Sequence, residues 1–110
     1  MNDQAGPGAP VVVPLPTEID VTNCGEVFEQ LAEVLAPGVD TVIADMTATL
    51  FCDSSGVHAI MRAYESAAAR DITMRVVVSP DGSVHRVLEL IGVSRLLPVH
   101  PTLEDALSKA

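Results

Sequence analysis

The residues with most chemistry to offer stand together between positions 52 and 58: Cys52, Asp53, Ser54, Ser55, Gly56 and His58. A hydroxyl at the start of a helix can cap the unpaired backbone N–H groups there. The partial positive charge of such a terminus also suits a phosphate. A third chemistry is covalent, with Ser54 or Cys52 as nucleophile and His58 as base. It needs an orienting group and an oxyanion site as well. No nucleophile-elbow glycine pattern surrounds Ser54, and the Ser54–His58 spacing is one helical turn, which surface residues share by chance. A non-enzymatic role is expected. Asp20 and Asn23 form a second polar group, readable as contact residues or as a solvated, helix-capping loop. His85 and His100 stand in no metal-ligand pattern, and two cysteines, Cys24 and Cys52, make neither a disulfide framework nor a zinc site.

The elements that must position these groups alternate. Val11-Val12-Val13, followed by two prolines around Leu15, reads as an edge strand. Ile19 to Asn23 reads as a polar loop, with Thr22 or Asn23 capping a helix that runs to about Ala36. Its apolar face is Val27, Leu31, Val34 and Leu35, and Pro37-Gly38 stops it. Thr41 to Met46 is a strand covered on both faces. Leu50 to Gly56 is then a strand-to-helix turn into a helix from about Ser55 to Arg70, with Val57, Ile60, Met61, Tyr64 and Ala68 on its buried stripe. Met74 to Val78 is a strand and Ser79-Pro80-Asp81-Gly82 a turn. Ser83 to Ile91 is a helix with Val84, Val87, Leu88 and Ile91 inward and Gly92 as its stop. Leu97-Pro98-Val99 gives a very short strand, and Thr102 with Asp105 opens a last helix over Leu103–Ser108. Such alternation with short connections is an α/β layer fold with a mostly parallel sheet, whose sites collect at the carboxyl ends of the strands.

At 110 residues, 48% of them hydrophobic, the chain supports one domain with a core that needs no metal or disulfide. The expected division is a flexible tail over residues 1–10 and a single domain over 11–110. A net charge of −9 with only six Lys plus Arg argues against nucleic acid as partner, since phosphate-backbone binding depends on cationic contacts. A protein with a basic patch fits better. No apolar run approaches the roughly 20 residues that span a bilayer, and the first ten residues lack a signal-peptide pattern. A cytoplasmic protein, without membrane association, is expected.

Three motifs in order carry a family resemblance over Val11 to Ala110. They are Glu18-Ile19-Asp20 before the first helix, Asp53-Ser54-Ser55-Gly56-Val57 between a strand and a helix, and Leu88-Glu89-Leu90-Ile91-Gly92-Val93 closing a helix. The chain resembles the STAS domain of bacterial anti-sigma factor antagonists, and Leu97-Pro98-Val99-His100-Pro101 is similar to actinobacterial members. The tetrapeptide Asp-Ser-Ser-Gly alone would be an ordinary helix cap; its placement among the other two motifs gives the specificity.

The resemblance implies a STAS-type sheet of four to five mostly parallel strands with about four helices. It also implies partner switching. The unmodified antagonist binds an anti-sigma factor of histidine-kinase-like fold and frees the sigma factor, and phosphorylation reverses this. The phosphoacceptor corresponds to Ser54. ATP and magnesium belong to the kinase partner, this chain holds no cofactor or metal, and a serine phosphatase completes the cycle. Asp20, Asn23, Asp53, Ser54, Ser55, Gly56 and His58 form the implied partner-binding set. A phosphate adds about −1.5 to −2 charges, which the helix dipole favours by roughly 0.3–1 kcal/mol, so the fold should barely change. The competing function is a STAS scaffold in a lipid-transport ATPase or sensory assembly, where the serine need not be a substrate.

Two features depart from the family pattern. Cys52 replaces the aliphatic residue that commonly precedes the motif's Asp. If the two loops are neighbours, Cys24 and Cys52 form a redox pair that tunes binding. The strand that usually precedes Val11 is replaced by a Gly- and Pro-rich stretch, so the N-terminal edge is shortened, and a monomer or weak dimer is expected.

Overall fold

The computed structural model describes residues 10–108. The order of elements is β1 (Val11–Pro14), β2 (Glu18–Ile19), α1 (Cys24–Ala32), β3 (Thr41–Asp45), β4 (Phe51–Cys52), α2 (Ser54–Ala69), β5 (Thr73–Val77), α3 (Ser83–Ile91), a 3-10 turn (Val93–Arg95), β6 (Val99–His100) and α4 (Leu103–Ser108). The main sheet is parallel throughout, ordered β1-β3-β5-β6. β1 is an edge, as its proline requires. β3 lies inside the sheet and is buried from Thr41 to Ala44, which explains its unbroken apolar run. A second sheet, not expected from the sequence, pairs β2 with β4 in parallel, Glu18 opposite Phe51 and Ile19 opposite Cys52. Ile19 thus belongs to a strand rather than to the polar loop expected over Ile19 to Asn23.

The larger core lies between the main sheet and helices α1, α2 and α3. It contains Val27 and Leu31 of α1, Val57, Ile60, Ala63 and Ala67 of α2, and Val84 and Leu88 of α3. On the opposite face, Ala106 of α4 covers Ile43 and Val77. The expected helix spans hold for α3 and α4, and α2 begins one residue early. α1 ends at Ala32 rather than Ala36. There the chain tightens, with Val34 N–H donating to Leu31 and Leu35 N–H to Ala32, both three residues back. Leu35 still reaches the core at 4% exposure, so the apolar spacing is satisfied without further α-helix. Arg70 Nη1 donates to the Leu35 carbonyl at 2.6 Å and closes the end.

The buried side of α2 is also rotated from the expected stripe. Ala68 is exposed, Met61 and Tyr64 are half-buried, and Gly56, Ala59, Ala63 and Ala67 face inward. Small residues there let the helix lie close to α1 and the sheet. Similarly, Ile91 at the end of α3 is 47% exposed rather than buried. α2 ends in a Schellman arrangement: Ile72 N–H bonds Ala67 and Asp71 N–H bonds Ala68, with Asp71 in the left-handed region at φ 59°. The expected tail over residues 1–10, and the absence of a strand before Val11, lie outside the described residues apart from Pro10.

Candidate functional site

The small β2–β4 sheet brings the two polar groups together. Ile19 and Cys52 are register partners, and Asp53 N–H donates to the Ile19 carbonyl at 3.2 Å, so the segments 20–24 and 53–58 leave neighbouring strand ends. Two packing observations fix this junction. Cys52 is 2% exposed, and a methyl group on Gly56 would lie 2.6 Å from Ile19 Cγ2 and 2.7 Å from Cys52 Sγ. Gly56 therefore admits the chain's own two strands, and the start of α2 is seated directly on them.

Asp53 is the N-cap of α2. Its Oδ1 accepts from Ser55 N–H at 3.0 Å, Gly56 N–H at 3.2 Å and Ser55 Oγ at 2.6 Å. The Ser55 hydroxyl does most to hold the Asp53 carboxyl below its ordinary range; desolvation opposes it, and the Gly56 and Ser55 amides add smaller lowering contributions. Capping thus falls to the Asp53 carboxylate and not to a serine hydroxyl. Ser55 is half-buried and turned to Asp53, whereas Ser54 is exposed at the first helical position and His58 is exposed one turn along. Of the two serines, Ser54 is the one presented outward.

Asp20 and Asn23 hold their own loop together. Asn23 Oδ1 accepts from Asp20 N–H at 2.9 Å and its Nδ2 donates to the Glu18 carbonyl at 2.8 Å, while Asp20 Oδ1 accepts from Thr22 N–H at 2.9 Å. Asn23 occupies the N-cap position of α1 without bonding the helix amides through its side chain. These bonds rigidify the loop that flanks Ser54.

Both cysteines are free thiols. Burial, with a smaller contribution from Asp53, pushes the Cys52 thiol up to about 11, and it lies in the core cluster while Cys24 packs at its margin. A thiol so protonated supplies little thiolate for exchange at neutral pH. Through Oδ1, Asp53 is engaged with Ser55 and Gly56, not with the His58 ring. No group of three or more His, Cys, Asp or Glu side chains able to hold a metal occurs among the described residues.

Sequence reasoning missed the apolar part of the site. Val21 is 75% exposed, Leu50 74% and Phe51 49%, and all three flank the Asp53–Ser54 turn. Leu50 and Phe51 are backbone-anchored: both N–H groups donate to Thr17 O, and Ser83 Oγ donates to Leu50 O at 2.9 Å. No periodic sequence signal marks them: Thr49 and Cys52 are buried and the two residues between them are not, which is not the alternation of a strand.

Comparisons with known proteins agree with this geometry. The STAS domain model matches residues 2–106. The anti-anti-sigma factor Rv2638 of Mycobacterium tuberculosis is 33% identical over 107 residues, covering 94% of this chain and 71% of that protein. The crystal structure of an anti-sigma factor antagonist from Mycobacterium paratuberculosis has a TM-score of 0.81 at 26% identity, covering 98% of this chain and 88% of that one. A sulfate transporter family protein from Wolinella succinogenes shares the fold, with a TM-score of 0.70 at 17% identity over 91% of this chain and 83% of that one.

Proposed function

Because this chain belongs to the STAS domain family, we propose that it is an anti-sigma factor antagonist working by partner switching. The unphosphorylated form binds an anti-sigma factor with serine kinase activity and so frees a sigma factor. Transfer of the γ-phosphoryl group of ATP to Ser54 Oγ, with loss of the hydroxyl proton and release of ADP, ends that binding. A serine phosphatase restores it. ATP and magnesium sit on the kinase, and the exchange takes place in the cytoplasm. Among the described residues no helix is long and apolar enough to cross a membrane.

The observation that carries this reading is the division of labour at the start of α2. Asp53 and Ser55 cap the helix between themselves, which leaves the exposed Ser54 hydroxyl without a necessary structural task. Val21, Leu50 and Phe51 supply apolar contact area around it, and Asp20 and Asp53 an acidic rim that suits a basic partner surface. A phosphate at the centre of such an interface brings like-charge and desolvation costs of about 2–5 kcal/mol, enough to lower affinity thirtyfold or more.

The test is incubation with the host's anti-sigma kinases and ATP, with the modified residue mapped by mass spectrometry. Phosphate is expected on Ser54, none on the Ser54→Ala variant, and weaker kinase binding by Ser54→Asp. Undiminished binding to a partner without any transfer to Ser54 would instead favour a scaffolding STAS module.

A further inference from the structure

Asp53 already fills the place that an anion would take at the start of α2, because its Oδ1 accepts from both the Ser55 and the Gly56 amides. A phosphate on Ser54 finds those donors taken and an ionised carboxylate beside it. Its counter-charge must come from a side chain.

His58 meets that requirement by position. It lies four residues after Ser54 in α2, and residues so spaced have Cβ atoms about 5–6 Å apart on one face. Helical side chains lean toward the N-terminus, so each covers the turn that precedes its own Cα. That spacing puts the imidazole within reach of the turn that carries Ser54, and both residues are exposed. The next cation on this face, Arg62, is eight residues from Ser54, about 12 Å along the axis. Its guanidinium is 4.1 Å from the Phe28 ring centroid, held against α1. Carboxylates at this end include Asp53, at the N-cap, Asp20, which follows β2 as Asp53 follows β4, and Glu18, opposite Phe51; the first two carry local hydrogen bonds. α3, whose Ser83 bonds Leu50 O, adds Arg86, His85, which lies 3.8 Å from Glu89, and, in the turn before it, Asp81.

Resting on Ser54 as phosphoacceptor, we propose that His58 is the charge partner of the phosphoserine, its imidazolium donating an N–H to a phosphate oxygen across one turn of α2. The pair favours the dianionic phosphate near neutral pH and draws it along the exposed face that the partner must cover. His58 is thus a positioning residue for the blocked state and makes no contribution to the unmodified fold.

The experiment uses the full chain with phosphoserine installed at position 54 by genetic encoding, which makes it independent of any kinase. The second ionisation of the phosphate is followed by phosphorus NMR. In the native background its midpoint is expected about half a pH unit below that in His58→Ala or His58→Gln, the size of an exposed ion pair at this spacing with a dianion. His58→Lys should restore the lowered midpoint, and the difference should shrink in high salt as exposed charges are screened. Equal midpoints in the native, Ala and Gln backgrounds would overturn the role of His58 while leaving Ser54 as acceptor. Failure of the kinases to modify Ser54 would count against the switching mechanism instead.

Discussion

At the scale of single residues, the site rests on Gly56 and Asp53 more than on the two serines between them. A Cβ at position 56 would meet the side chains of Ile19 and Cys52, both almost fully buried and so unable to yield. Gly56→Ala should therefore lose about 1–3 kcal/mol of stability despite alanine's better helix propensity. Urea unfolding measures this, and Cys52→Ala in the same chain should recover part of the loss by removing one of the two obstacles. Asp53 is held below the ordinary carboxylate range, so its ionised form is the one the fold favours. Its contribution is present above about pH 4 and disappears as pH falls through the lowered folded value. Asp53→Asn should be the less stable protein at neutral pH, with the gap closing in acid. Thermal melts across that range give the comparison. For the thiols, Cys24 should react with an alkylating reagent in the native protein well before Cys52, whose thiol is buried and raised to about 11. Equal rates would show Cys52 to be as reachable as Cys24, as a redox pair requires.

At the scale of elements, legibility followed local stops and caps. α3 and α4 carry their own stops and caps: Gly92 adopts φ 91°, and Asp105 N–H bonds Thr102 Oγ1 at 3.0 Å, so their bounds could be read directly. β2 escaped notice because a two-residue strand has no period to detect. Only Ile19 gave a signal, and its role became visible once Phe51 and Cys52 lay beside it. The stripe of α2 was drawn through its larger side chains, whereas packing against α1 selected the alanines. The end of α2 holds a testable strain. Asp71 sits at φ 59° with no glycine to relieve it. Asp71→Gly is expected to change stability by less than about 1 kcal/mol, whereas Asp71→Val should cost about 1–2 kcal/mol, because a β-branched side chain tolerates that conformation poorly. Chemical denaturation of the two variants side by side separates the cases.

At the scale of the whole molecule, the candidate site is one end of a parallel sheet, where α/β folds gather their sites, and the charge is −9 over 110 residues. Association with a basic partner should therefore slow as salt is raised, with dissociation affected less. Stopped-flow mixing at increasing ionic strength distinguishes this from an interface dominated by Val21, Leu50 and Phe51, whose association would hardly respond. Leu50→Ser, at 74% exposure, should leave folding stability within about 0.5 kcal/mol and still weaken partner binding at least severalfold, mainly through faster dissociation. That class of contact was the least legible in sequence, because an exposed leucine looks the same as a buried one until the sheet is assembled.

The seating of α2 on the two short strands also bears on timing. With Gly56 wedged against Ile19 and Cys52, the helix start has no slack in which to shift, and no second arrangement has to be reached before a partner can sense the state of Ser54. If Ser54 is the phosphoacceptor proposed above, the surface changes character as the phosphoryl bond forms or breaks. Under that proposal no refolding step would separate the mark from its effect on a partner.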